Sequence, residues 1–156
     1  YQTAAQAERP VLLKALDVLY LLWRAQLEGQ TLGELKILGD RNVINDGLDS
    51  DSWRHIRDSL IAANLITQTL QGHYILSRDL HHVRFIEIKA LINHELEVPS
   101  TIEGNQPWQI RASELLNQQR LVQTEILSIS LEELFTTSND NSNDNFNDNT
   151  AVTETA

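Results

Sequence analysis

Leu65-Ile66-Thr67-Gln68-Thr69-Leu70-Gln71-Gly72-His73-Tyr74-Ile75-Leu76-Ser77 is the stretch on which the fold turns. Two β-prone runs flank a residue-Gly pair, the pattern of an antiparallel hairpin. Three segments of helical periodicity precede it. The first opens at Pro10, a residue suited to a first helical turn, and runs through Leu12, Leu13, Leu16, Val18, Leu19, Tyr20, Leu22, Trp23 and Leu27 to a stop at Gly29. Its apolar residues cover more than one stripe, so it should be buried on two sides, while Lys14, Asp17 and Arg24 interrupt it too often for a membrane span. Thr31-Leu32-Gly33-Glu34 reads as a capping box opening a short second helix, Leu32 to Leu38, that ends at Gly39. A polar connector, Asp40 to Ser50, carries the turn signal Asn45-Asp46-Gly47, and Val43, Ile44 and Leu48 should pin it to the core. Asp51 or Ser52 then caps a third helix in which Trp53, Ile56, Leu60 and Ile61 recur at helical spacing.

Downstream of the hairpin, Val83 to Leu96 fits a fourth helix. Pro99 and Gly104 mark a linker. A fifth helix begins near Pro107 and Trp108 and continues through Leu115, Val122 and Ile126, and Ser130-Leu131-Glu132-Glu133 is a second capping box ahead of Leu134 and Phe135. The order predicts an α+β, mostly α, winged-helix-like domain over residues 9–98: three helices, a β-hairpin wing and a fourth helix. Residues 99–135 are expected to be a linker and C-terminal helices packing back on it, with Trp108, Leu115 and Val122 covering Tyr20 and Trp23. Residues 1–8 read as a linker from a preceding region. Residues 136–156, with their tandem Asn-Asp-Asn units, read as a disordered tail that buries too little apolar surface to offset the entropy of ordering.

Composition bounds function. The 156 residues carry 12 Lys+Arg against 22 Asp+Glu, no Cys and no Met. Zero Cys removes disulfides, cysteine zinc sites and thiol nucleophiles. The absent methionine, position 1 included, leads us to expect a processed chain or a piece of a longer one. Of the net charge of −10, the last 19 residues contribute four acids and no base, whereas residues 9–98 hold ten bases against twelve acids. The folded part is nearly neutral, and the acidity is concentrated toward the C-terminus.

The winged-helix order usually serves DNA, with the third helix in the major groove. On that reading Arg54, His55 and Arg57 face the groove. Four features argue against it. Asp49 and Asp51 stand at the N-terminal end of the third helix; Arg54 and Asp58 are spaced for an intrahelical pair; the hairpin holds no Lys or Arg; and the connector is longer than a helix-turn-helix allows. Enzymatic readings have less to stand on. His81-His82 beside Asp79, with His55, His73 and His94 scattered elsewhere, do not form the convergent set zinc needs. The tail lacks the Gly and Glu of a calcium loop, and no phosphate loop, nucleophile elbow or paired-carboxylate motif occurs. No cofactor or metal site is expected. A nuclease would have to rest on Asp46, Asp49 and Asp51, which turn and capping roles already explain.

Several segments, taken in order, resemble one family. They are Leu12-Leu13, Ala15-Leu16, Leu22-Trp23-Arg24-Ala25-Gln26 and Glu28-Gly29, then Leu60 with Asn64-Leu65-Ile66 and Gly72. Tyr74-Ile75-Leu76-Ser77-Arg78-Asp79-Leu80, Pro107-Trp108 and Ser130-Leu131-Glu132-Glu133-Leu134-Phe135 complete the series. Together, over residues 9–135, they resemble the cytoplasmic C-terminal region of the YihY/BrkB family of bacterial inner-membrane proteins, formerly labelled ribonuclease BN. The resemblance implies a multi-helix membrane bundle N-terminal to this region and a place on the cytoplasmic face of the inner membrane. It supplies no catalytic residues. Asp79 is expected to cap the turn into the fourth helix, Leu80 to seal the hairpin to the core, and Arg78 to pair with a nearby acid or a partner. The expected function is that of a non-catalytic contact module, with Arg78, Asp79, Tyr20, Trp23 and Trp108 as its structural or interaction residues. Its partners are the membrane-embedded part of its own parent, another protein or a second copy. A DNA-binding regulator is the alternative, and a nuclease the third reading.

Overall fold

A computed structural model describes residues 9–44, 47–95 and 104–137. The expected linker 1–8, Asn45-Asp46, Pro99 and the Asn/Asp-rich tail from residue 138 onward lie outside the described residues. The helices are α1 (Val11–Leu27), α2 (Glu34–Leu38), α3 (Ser50–Ala62), α4 (Phe85–Ile92), α5 (Pro107–Ile126) and α6 (Leu131–Phe135). Strands β1 (Ile66–Gln68) and β2 (Tyr74–Leu76) follow α3, and a 3-10 turn, Leu80–His82, precedes α4. The result is mostly helical with one antiparallel hairpin.

Helix α1 is the axis of the core. Lys14 through Leu19, Leu22 and Ala25 are all buried, which is the two-sided burial its apolar pattern demands. Val18 and Leu19 meet Ile56 and Leu60 of α3, Ile66 and Tyr74 of the hairpin and Ile88 of α4 in one continuous cluster. Gly29, at φ +68°, ends α1, with the Gln30 N–H returning to the Ala25 carbonyl. Asn64 does the same for α3 at φ +57°, its neighbour Leu65 donating to Leu60. An asparagine tolerates this left-handed turn, so the chain drops from α3 directly into β1.

In the hairpin, Ile66 pairs with Leu76, Thr67 with Ile75 and Gln68 with Tyr74. Period-2 alternation turns Ile66, Tyr74 and Leu76 inward and leaves Ile75 37% exposed. The loop is longer than the two-residue turn the Gln71-Gly72 pair suggested: Thr69 donates to the His73 carbonyl, and Leu70 stands fully exposed at the tip. Leu32 also exchanges hydrogen bonds with Tyr74, so the outer edge of β2 is partly covered.

Several sequence expectations are corrected. The Thr31-Glu34 capping box does not form; α2 starts at Glu34 after Gly33, with no side-chain cap. Both residues serve longer-range contacts instead, Thr31 Oγ1 with His73 Nδ1 at 2.7 Å and Glu34 Oε1 accepting from Trp53 Nε1 at 2.6 Å. The cap of α3 is Asp49 rather than Asp51 or Ser52, accepting from the Ser52 N–H at 2.9 Å. Ile61 is 38% exposed and outside the core. Helix α4 is shorter than expected, because Val83 and Arg84 are drawn into extended pairing with the segment after α5. There Leu131 N–H donates to the Val83 carbonyl and Phe85 N–H to that of Ile129.

The largest correction concerns the C-terminal helices. Helix α6 packs back: Ser130 caps it through the Glu133 N–H, Leu131 is fully buried, and Phe135 lies edge-on to Tyr20 with ring centres 5.4 Å apart and 5.8 Å from Trp23. Helix α5 does not. It buries no residue, and Trp108, Leu115 and Val122, expected over Tyr20 and Trp23, are 69%, 47% and 55% exposed. The position over the aromatic pair belongs to Phe135.

Candidate interaction faces

The third-helix and wing face carries little positive charge. Arg54 is exposed. Arg57 pairs with its own neighbour Asp58 at 3.1 Å, so the expected Arg54–Asp58 pair is replaced by one at adjacent positions. That hydrogen bond to Asp58 raises the Arg57 pKa. His55 points the other way: its Nε2 lies 3.0 Å from the Ile92 carbonyl and its ring 4.9 Å from that of His94. Of the three residues the DNA reading needs, one is held by an acid and one by the last turn of α4.

Acid gathers at the start of α3. Asp49 caps the helix and also accepts from the buried Lys14 Nζ at 3.4 Å, tying α3 to α1. The Ser52 hydrogen bonds hold its carboxyl at a pKa of about 2, well below the usual aspartate range. One turn further along α1, Asp17 receives Arg9 through two bonds of 2.9 Å. Its pKa is nevertheless raised, because burial outweighs the guanidinium. Among the described residues every buried side-chain nitrogen and oxygen has a hydrogen-bond partner.

The Arg78-Asp79-Leu80 corner follows the expected division of labour in part. Asp79 Oδ1 accepts from the His81 N–H at 2.9 Å, capping the turn into α4, and Leu80 is 2% exposed. Arg78 is exposed, and no acid among the described residues is paired with it. His81 and His82 stand with ring centres 5.0 Å apart, His81 facing Glu132 at 3.7 Å. Among the described residues no group of three or more His, Asp or Glu side chains converges as metal ligands. Asp46 lies outside them, and Asp49 is engaged in capping.

Two further faces were not singled out from the sequence. One is an open groove of about 620 Å³ between the end of α1 and α2, where Leu21, Leu32 and Leu35 form part of the lining beside Arg24, Lys36 and Arg41. Its lining falls within one stretch of sequence, residues 21–42, but follows no motif. The other is α5 itself, with Ile110, Leu116, Leu121 and Ile126 also more than half exposed. Its periodicity was legible, but periodicity does not say whether a stripe is covered by its own chain.

No family model matches the chain. Among solved structures, Staphylococcus aureus CymR superimposes with a TM-score of 0.56 at 23% identity, covering 82% of this chain and 97% of that one. CymR (YrzC), the global cysteine regulator of B. subtilis, gives 0.55 at 22% identity over 80% of this chain and 94% of that one. That likeness supports the winged-helix-like fold. In sequence, the chain is 30% identical over 134 residues to a UPF0761 membrane protein of Alcanivorax borkumensis, which is 83% of this chain and 30% of that relative. A UPF0761 membrane protein of Legionella pneumophila is 33% identical over 78% of this chain and 29% of its own length. One from Teredinibacter turnerae is 28% identical over 72% and 27%. The chain therefore spans less than a third of the curated relatives it matches. Over most of its length it is homologous to the UPF0761 membrane proteins, the YihY/BrkB group that its sequence motifs resemble.

Proposed function

We propose that this chain is a non-catalytic module on the cytoplasmic face of a polytopic bacterial inner-membrane protein of the YihY/BrkB type. It works by protein–protein or intramolecular contact, the membrane-embedded part of its parent being the first partner. The observation that carries the reading is a disparity of lengths. Similarity reaches 83% of this chain but only 30% of a relative named as a membrane protein. No described helix is long and apolar enough to cross a membrane. On this reading the spans belong to the remainder of the parent. The polar side chains support a structural use: Asp49 and Asp79 cap turns, and Asp17 neutralises Arg9.

One observation favours a second reading, DNA binding, namely the likeness to CymR. Fold alone does not give function, and the local charge runs against it. The hairpin lacks Lys and Arg, Arg57 is held by Asp58, and His55 by the Ile92 carbonyl. Phosphate neutralisation supplies most non-specific affinity, and Arg54 contributes one charge to it.

Two measurements test the proposal. In the full-length parent, with any native cysteines replaced, Ser77→Cys at the exposed wing should react with a membrane-impermeant maleimide in inverted vesicles only. Labelling in right-side-out vesicles contradicts the assigned face. Gel-shift titration of the chain at low salt should give no salt-sensitive complex. A complex whose affinity falls steeply with salt and is lost in Arg54→Ala would replace contact with DNA recognition.

A further inference from the structure

Among the described helices, α5 alone buries no residue, yet it is the longest at 20 residues, about 30 Å. Trp108, Ala112, Leu115, Gln119, Val122 and Ile126 follow one another in alternating steps of four and three. That is the seam spacing of a coiled coil. The half-covered residues of α5, Gln109, Ala112, Ser113, Asn117 and Gln123, centre about a quarter turn from the seam, which leaves its large apolar side chains exposed beside the domain.

We infer that α5 is a self-association seam on which two copies of this chain pair antiparallel. This goes beyond the proposed function and does not depend on it. Turned end for end, the seam matches itself: Trp108 faces Ile126 of the second copy, Ala112 faces Val122, and Leu115 faces Gln119. Bulk meets smaller bulk in the outer layers, and the polar Gln119 fixes register at some cost in affinity. The flanking positions obey the same two-fold. Leu116 meets its own counterpart near the axis, and Arg111 meets Glu125 of the second copy on both sides. Arg111 already leans on Glu114 at 3.3 Å within its own helix, which leaves it between two acids in the pair. A parallel pairing would instead set Arg111 beside Leu116 of the second copy and lose both Arg–Glu contacts.

The exposed area sets the strength. Trp108, Leu115, Leu116, Val122 and Ile126 are 47–69% exposed, offering on the order of 500 Å² per copy against ~800 Å² in a standard interface. Ile110 and Leu121 lie on the opposite side and take no part. The dimer should be weak, with a Kd on the order of tens of micromolar, and should gain wherever copies are held close together.

Sedimentation equilibrium on the full chain from about 1 to 300 µM should show monomer passing to dimer by mass action. Leu115→Glu with Val122→Glu should leave it monomeric throughout, with an unchanged circular dichroism spectrum because both sites are exposed. Arg111→Glu should weaken the dimer about fivefold, and adding Glu125→Arg should restore it. The chain has no Cys, so single cysteines report register directly. Leu116→Cys should oxidise to a dimer. Trp108→Cys should not, its two copies standing about 27 Å apart, but should cross-link to Ile126→Cys in a mixture. A monomer at every concentration overturns the inference, including one whose tryptophan emission shifts blue on anionic vesicles, which would assign the stripe to lipid. So does a dimer indifferent to the double Glu variant, or efficient self-cross-linking of Trp108→Cys.

Discussion

Helices α1 and α5 are the two longest described helices, 17 and 20 residues, and both carry recurring large apolar side chains. One buries eight residues and is surrounded by α3, α4 and the hairpin; the other buries none. The difference lies in how the apolar residues are spread. In α1 they cover two sides, and such a helix has no solvent-compatible face to retain. In α5 they are fewer and divided between the Trp108–Ile126 seam and the opposite pair Ile110 and Leu121, with Arg, Glu and Gln between, so no side is apolar enough to demand burial in the domain. A wide apolar surface specifies a core, whereas a narrow one is equally served by the domain or by another molecule.

The largest effect that would break this comparison is in the core. Leu19→Ala in α1 should cost about 2–5 kcal/mol by urea unfolding, while Leu121→Ala in α5 should stay within about 0.5 kcal/mol. Comparable losses from the two would mean that α5 is packed. Next is the choice of cover for Tyr20 and Trp23. Phe135→Ala should cost roughly 2 kcal/mol, since it removes an aromatic ring half-buried against both, and should red-shift tryptophan emission. Trp108→Ala, measured at concentrations where the chain is monomeric, should leave stability unchanged.

A smaller effect sharpens the tie between α1 and α3. Asp49→Ala should cost about 1 kcal/mol through the lost cap. Because the Asp49 pKa is depressed to about 2 in the folded chain, its contribution is fully present above the ordinary aspartate range. It is lost as pH falls from there towards 2. Asp17 acts in the opposite sense: its raised pKa favours the folded state as pH falls through the folded value, which partly masks the loss. Unfolding midpoints in Asp49→Asn should therefore decline less between pH 5 and 2 than in the parent chain. Smallest of all, His94 ends α4 at φ +50°, and His94→Gly should raise stability by up to about 0.5 kcal/mol, offset by the lost contact with His55.

What could be read in the sequence divides along the same line. Local signals translated well: Pro10 and Gly29 bracket α1, Ser130 caps α6, and the two β-prone runs pair as a hairpin. These depend on residues a few positions apart. Signals with a distant competitor translated poorly. Thr31 and Glu34 had the spacing of a capping box, but His73 and Trp53 took their side chains, at separations of 42 and 19 residues. Val83 had helical neighbours but pairs with Leu131. Tyr20 and Trp23 stand together with ring centres 6.0 Å apart, and Phe135 rather than Trp108 is the third ring against them. Nothing in one sequence ranks Phe135 above Trp108, because each is an aromatic residue in a C-terminal helix.

The contrast between the two helices is most directly tested by native-state amide exchange, resolved by residue, at a dilute and a concentrated condition of about 1 and 300 µM. The account predicts that α1 amides exchange only through global unfolding at both concentrations. It predicts that α5 amides exchange far faster when dilute and gain protection when concentrated. Protection of α5 equal to that of α1 in the dilute sample would contradict it, as would an α5 that never responds to concentration.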